Sequence, residues 1–182
     1  GLDKCFKYRN IEIKDNTVII LGAGGAANAA AVLCASEGAK KTYIVNRTIE
    51  NAKKLVKHIQ KNYDVDMEAL GYDELMSIEN PNIIIQTTSL GMGETAGISP
   101  IKNTDIFKNV KVALDIIYSP WETEFLKDAK SYDCITINGF DMLVYQGIAS
   151  YEIWNDINID SNLAEKIKES LIEYYIESRK DL

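Results

Sequence analysis

The chain has 182 residues, 46% of them hydrophobic and 26% charged, with a formal net charge of −7. That length and apolar content suit one globular domain with a sizeable core. An acidic chain with no basic stripe argues against a nucleic-acid binder, and no apolar run approaches the roughly 18 residues of a membrane span. Three cysteines, Cys5, Cys34 and Cys134, lie far apart. An odd, scattered set fits a reducing cytoplasm better than a disulfide frame and offers no metal-ligand spacing. The opening Gly1-Leu2-Asp3-Lys4-Cys5 has no apolar leader region, and it begins on Gly rather than Met. A piece of a longer protein is therefore expected.

In chain order, residues 2–11 predict a short helix. Residues 16–21 form the first strand, its Val18-Ile19-Ile20-Leu21 run reading as buried parallel β. Three glycines then crowd a turn, and the alanine-rich run 26–35 opens a helix over 25–38, with Gly38 just past its end. A strand follows at 41–45, then Asn46-Arg47-Thr48. Thr48 is placed as N-cap of a helix reaching about residue 63. A weak strand at 65–70 and a short helix at 73–78 precede a strand at 82–86. The loop 87–109 contains Gly91, Gly93, Gly97 and Pro100, and such length in a compact domain usually serves function. A strand at 110–116, a helix at 123–130, a strand at 134–137 and helices at 141–156 and 163–178 complete the chain. On the last helix Leu163, Ile167, Leu171 and Tyr174 or Tyr175 share one face.

Strands alternating with helices imply parallel βαβ units. The expected fold is α/β and Rossmann-like: a doubly wound, mostly parallel sheet of six strands, helices on both faces, and a C-terminal helical extension. Residues 1–182 are read as a single domain, with 1–14 a helix and linker and 158–182 the final helix. Ligands of such sheets sit beyond the carboxyl ends of the strands, where the unusual loops of this chain collect.

The chemistry starts at Gly22-Ala23-Gly24-Gly25-Ala26-Ala27. In the G-x-G-x-x-A pattern Gly22 permits a tight turn, Gly24 lets backbone approach a pyrophosphate, and Ala27 allows close helix–strand packing. Backbone N–H groups at a helix N-terminus provide the anion site. An acidic residue ending the second strand would bind the ribose 2′-OH of NAD. Asn46-Arg47-Thr48 stand there instead, and Arg47 can meet a 2′-phosphate through charge-assisted bonds, which favours NADP. His58, the one histidine, lies in a lysine-rich helix and reads as surface, as do Lys53, Lys54 and Lys57. The Tyr174-Tyr175 pair reads as packing. Tyr118 follows a buried strand directly, and Gln146, in an apolar helical stretch, needs a hydrogen-bond partner if buried.

Together these blocks resemble the shikimate dehydrogenase family, in its C-terminal NADP-binding domain. The residues that carry the resemblance are the glycine turn, Asn46-Arg47-Thr48, Thr88-Ser89-Leu90-Gly91-Met92, Asp115-Ile116-Ile117-Tyr118-Ser119-Pro120 with Thr123 and Leu126, and Asn138-Gly139 through Met142-Leu143 to Gln146. They keep the family's order from Gly22 to about Trp154. The resemblance implies hydride transfer between NADP(H) and the ring carbon at position 3, interconverting 3-dehydroshikimate and shikimate. It implies that Gly22 to Ala27 carry the diphosphate and Asn46, Arg47 and Thr48 the 2′-phosphate. Thr88, Leu90, Met92, Tyr118 and Gly139 border the nicotinamide, with Ser89, Ile116 and Met142 also on the cofactor side. Gln146 and Tyr118 face the substrate.

The chain also departs from the family. The family's catalytic Lys and Asp belong to an N-terminal substrate domain, and Gly1 resembles the glycine just after that Asp. Neither is in this chain, so no proton donor for the carbonyl oxygen is present. Asn51 stands where an Arg or Lys is common near the 2′-phosphate, Gln86 replaces a common Asn, and Asp141 replaces a common Gly. An acid at 141, near the nicotinamide edge, is expected to weaken cofactor affinity. The substrate is shared with the missing domain. The first and last helices, with their apolar faces, are expected to pack on that domain. Rival readings are a dehydrogenase of quinate or another polyhydroxy acid, and a non-catalytic nucleotide-binding module.

Overall fold

A computed structural model describes residues 1–178. Residues 179–182, the end of the stretch assigned to the final helix, lie outside the described residues. Six strands are present: β1 (Thr17–Leu21), β2 (Lys41–Val45), β3 (Met67–Leu70), β4 (Ile83–Gln86), β5 (Val112–Asp115) and β6 (Ile135–Ile137). The α-helices are α1 (Leu2–Lys7), α2 (Gly25–Ser36), α3 (Ile49–Gln60), α4 (Glu124–Lys130), α5 (Gly139–Asn155) and α6 (Ser161–Glu177). None is long and apolar enough to cross a membrane among the described residues.

The sheet runs β3-β2-β1-β4-β5-β6, and every pair is parallel. β1 lies between β2 and β4, with Ile20 beside Ile44 on one side and Ile85 on the other. The chain therefore winds outward through β2 and β3, then returns to the far side of β1. The loops after β1 and β4 diverge at that switch point and open a crevice at the strand carboxyl ends. Val18 to Leu21 and Ile83 to Gln86 are all buried, as continuous apolar runs in a parallel sheet require. Ile19, Leu21, Ile84, Ala113, Phe107 and Phe125 share one core cluster.

The described chain divides into two compact units, residues 11–140 with the sheet, and residues 1–10 with the described residues after 140. Every predicted element is found, with ends displaced by a few residues. The loop after β4 is not structureless: 3₁₀ turns occupy Gly93–Thr95 and Thr104–Asn109, the second buried through Ile106 and Phe107. The expected apolar face of α6 is largely open: Leu163 and Leu171 are exposed, Tyr174 is 72% exposed, and Ala164 is the buried residue of that helix. The apolar side of α1 (Leu2, Cys5 and Phe6) is buried.

Candidate functional site

The glycine turn separates two kinds of constraint. Gly22 has φ +111°, and a Cβ there would meet Thr87 Oγ1 at 2.6 Å, so the fold itself requires glycine. Thr87 locks the spot from the other side, since its N–H and its hydroxyl both donate to the Leu21 carbonyl (2.9 and 2.6 Å). Gly24 and Gly25 differ: their φ values are not left-handed, and a Cβ at either would meet no atom within 4 Å. Gly24 is the N-cap of α2, no side chain caps that helix, and no acidic residue sits in its first turn. Ala27 is fully buried against the strand layer. Ala23 and Ala26 are half-buried. The result is a helix N-terminus with protein behind it, open space in front and no side chain capping its backbone N–H groups.

After β2, the Asn46 side chain donates to the Thr48 carbonyl (2.8 Å) and its backbone N–H to the Leu70 carbonyl (3.1 Å). This fixes the turn that presents Arg47. Thr48 holds the N-cap position of α3 but makes no side-chain cap bond, which leaves its hydroxyl available. Arg47 is exposed and has no side-chain partner among the described residues. It lines a cavity of about 540 Å³ shared with Asn46, Tyr72, Ser89, Leu90 and Lys102, among others.

A second cavity, of about 520 Å³, lies beyond β4 and β5 and is lined by Thr88, Ser89, Met92, Ile116 and Tyr118, among others. Fully buried Gln86 shapes its wall: its amide donates to the Leu90 carbonyl (3.0 Å) and its oxygen accepts from the Thr88 N–H (2.9 Å). Asp115 does the same for the next loop. One carboxylate oxygen accepts from the Ile117 N–H (2.9 Å), the other from the Thr123 hydroxyl (2.7 Å). Thr123 in turn caps α4 by accepting from Leu126 N–H. Burial pushes the Asp115 carboxyl up to about 6, against the opposing pull of the Thr123 and Ile117 bonds. The motif that runs from Asp115 through Thr123 to Leu126 is thus one hydrogen-bonded brace beneath Tyr118. Gly139 opens α5 directly on the loop backbone: its N–H donates to the Ile117 carbonyl (3.0 Å), and a Cβ there would overlap the Ile116 carbonyl.

Met142 and Gln146 belong to the other unit. Gln146 is exposed, so the hydrogen-bond need expected of a buried glutamine does not arise. Met142 is half-buried, and a Cβ on Gly1 would press on its backbone carbonyl. Asp141 does not stand as a bare charge: Arg9 donates to it from Nε and Nη2 (2.9 and 2.7 Å). A buried carboxylate held by a guanidinium is largely neutralised. The single-chain pattern singled out the glycine turn, the Arg47 turn and Tyr118. It gave no role to Gln86 and Asp115, although a polar residue closing an apolar strand is a usable signal. For Tyr72 and Lys102 no periodicity or motif distinguishes them from surface.

The chain matches the family model described as shikimate / quinate 5-dehydrogenase over residues 5–96. A shikimate dehydrogenase (NADP(+)) of Nitrosopumilus maritimus is 39% identical over 167 residues, 91% of this chain and 60% of that protein. A chorismate mutase/shikimate 5-dehydrogenase fusion protein from Clostridium acetobutylicum superposes with a TM-score of 0.84 at 36% identity, over 96% of this chain and 60% of that one. A shikimate dehydrogenase solved in complex with NADP+ gives 0.74 at 31% identity, over 96% of this chain and 60% of that one. The chain thus spans about three fifths of the relatives it matches. With a doubly wound parallel sheet, the glycine turn at its switch point and this extent of matching sequence, the chain belongs to the shikimate/quinate 5-dehydrogenase family.

Proposed function

We propose that this chain is the NADP-binding part of a shikimate dehydrogenase, an oxidoreductase that interconverts 3-dehydroshikimate and shikimate. The observation that carries the cofactor choice is Arg47, an unpaired guanidinium where a carboxylate would select NAD. The residues fit the cofactor. The open cradle at Gly24 and Gly25 would take the diphosphate, and Asn46, Arg47 and Thr48 the 2′-phosphate. Thr88, Ser89, Leu90, Met92, Ile116, Tyr118 and Gly139 would border the nicotinamide half, with Tyr118 also at the substrate; Met142 and Gln146, in the other unit, keep the cofactor and substrate roles that the family resemblance implies. When bound, the cofactor supplies the hydride. The residues of this chain bind and orient it. Gln86 and Asp115 hold the two loops that form the nicotinamide cavity, and Gly139 lets α5 start close to the Ile116 backbone. The relatives named for shikimate and NADP(+) support this substrate over quinate.

Arg47→Ala should weaken NADPH binding about 10- to 100-fold and NADH binding little, the range expected for a charge-assisted contact. Calorimetric titration of both cofactors measures it, and equal losses would remove Arg47 from this role.

A further inference from the structure

Two residues with no assigned part in cofactor binding line the Arg47 cavity, and neither has a polar side-chain partner among the described residues. Tyr72 follows β3, and its ring packs on the core cluster while its hydroxyl oxygen is buried with no hydrogen-bond partner. Buried hydroxyls are nearly always paired, and an orphan one on a residue that lines a cavity is a place where a ligand atom can complete the bond. Lys102 comes from the far end of the loop after β4 and is exposed. It makes no ion pair among the described residues, and Asp105, three residues on, pairs with Lys108 instead. Asp73 is the one carboxylate on the cavity wall, against the cations of Arg47 and Lys102, so the lining is net positive. A cavity of about 540 Å³ is of the size that takes a nucleotide half.

Resting on the reading above, we propose that Tyr72 and Lys102 complete a 2′-phosphoadenosine pocket: Lys102 is a second cation for the 2′-phosphate beside Arg47, and the Tyr72 hydroxyl is the polar anchor for the purine at the pocket floor. The exposed ammonium belongs at the mouth, where a phosphate keeps part of its hydration. The buried hydroxyl belongs deep, where only the flat base can follow. Burial also pushes the Tyr72 phenol up to about 12, so it stays a neutral O–H donor across the physiological range. The two roles make different predictions, because the purine is common to NADP and NAD and the 2′-phosphate is not.

The test is calorimetric binding of 2′,5′-ADP and 5′-AMP to this chain and to Arg47→Ala, Lys102→Met and Tyr72→Phe variants, with thermal melting of each. Lys102→Met should weaken 2′,5′-ADP about fivefold and leave 5′-AMP unchanged, with a smaller salt dependence than the parent. Tyr72→Phe should weaken both ligands about tenfold while melting at the same temperature or higher, since it deletes an unpaired buried hydroxyl. If Arg47→Ala loses its 2′,5′-ADP preference but the other two variants bind like the parent, this proposal falls and the cofactor reading stands. If the parent itself shows no preference for 2′,5′-ADP, both fall. A Tyr72→Phe variant that melts lower would mean the hydroxyl is satisfied within the protein, and would overturn its assignment.

Discussion

Asp115 shows how one residue links the fold to the site. Its carboxylate joins the end of β5 to the cap of α4, and burial raises its pKa from 3.8 to about 6. The folded chain therefore keeps a proton that the unfolded chain releases at lower pH. Stability carried by that proton is full below about pH 4 and is lost as pH rises through about 6, after which the curve is flat. Displacement by about two pH units corresponds to about 3 kcal/mol. Asp115→Asn should remove this slope and keep the geometry, with its oxygen accepting from Ile117 and its amide donating to Thr123. Urea midpoints of the two proteins between pH 4 and 7 should diverge in that direction, and parallel curves would show that Asp115 does not titrate there. At the same scale, Asp141 reads from the chain as a charge that weakens cofactor binding. Its pairing with Arg9, 132 residues away, is the kind of contact that no local pattern reveals.

Among the elements, the two glycine-led helices make opposite demands. α2 begins at Gly24 over empty space, and α5 begins at Gly139 against the Ile116 carbonyl. Gly24→Ala should therefore melt like the parent and lose NADPH affinity about tenfold or more, because the methyl fills the anion cradle. Gly139→Ala should instead cost about 3 kcal/mol, a drop of roughly 6–12 °C in Tm, as forced overpacking does. Loss of stability at Gly24 without loss of affinity would reverse the assignment. Element type was legible in the chain, because buried parallel strands are short apolar runs and Gly22, Gly38 and Thr123 punctuate them. The turn at Gly22 was read correctly as a steric need, while Gly24 and Gly139 look alike in sequence and differ only in what faces them. The α6 face is expected from its 3.6-residue spacing to pack on a further domain, and within the described residues it stands open, because spacing states which residues align and not what covers them.

For the molecule as a whole, the cavity beyond β4 and β5 is lined, among the described residues, by no histidine, lysine or carboxylate suited to protonate a carbonyl. We expect the 182-residue chain to bind NADPH and to show no shikimate-dependent absorbance change at 340 nm. Measurable turnover would sink the division of labour proposed above. The division into a sheet unit and a second unit also has a bearing on how the polypeptide forms. Residues 1–10 share a unit with residues after 140, through Lys4 with Glu152, Tyr8 with Tyr145 and Arg9 with Asp141. During synthesis the first helix therefore emerges long before its partners, and the complete six-stranded sheet is made in between. The sheet unit can close as soon as β6 is available, whereas Lys4 and Arg9 must wait for Glu152 and Asp141 until α5 follows. The ion pairs that join residues 1–10 to the segment after 140 are thus a late event, and the order of assembly runs from the parallel sheet outward.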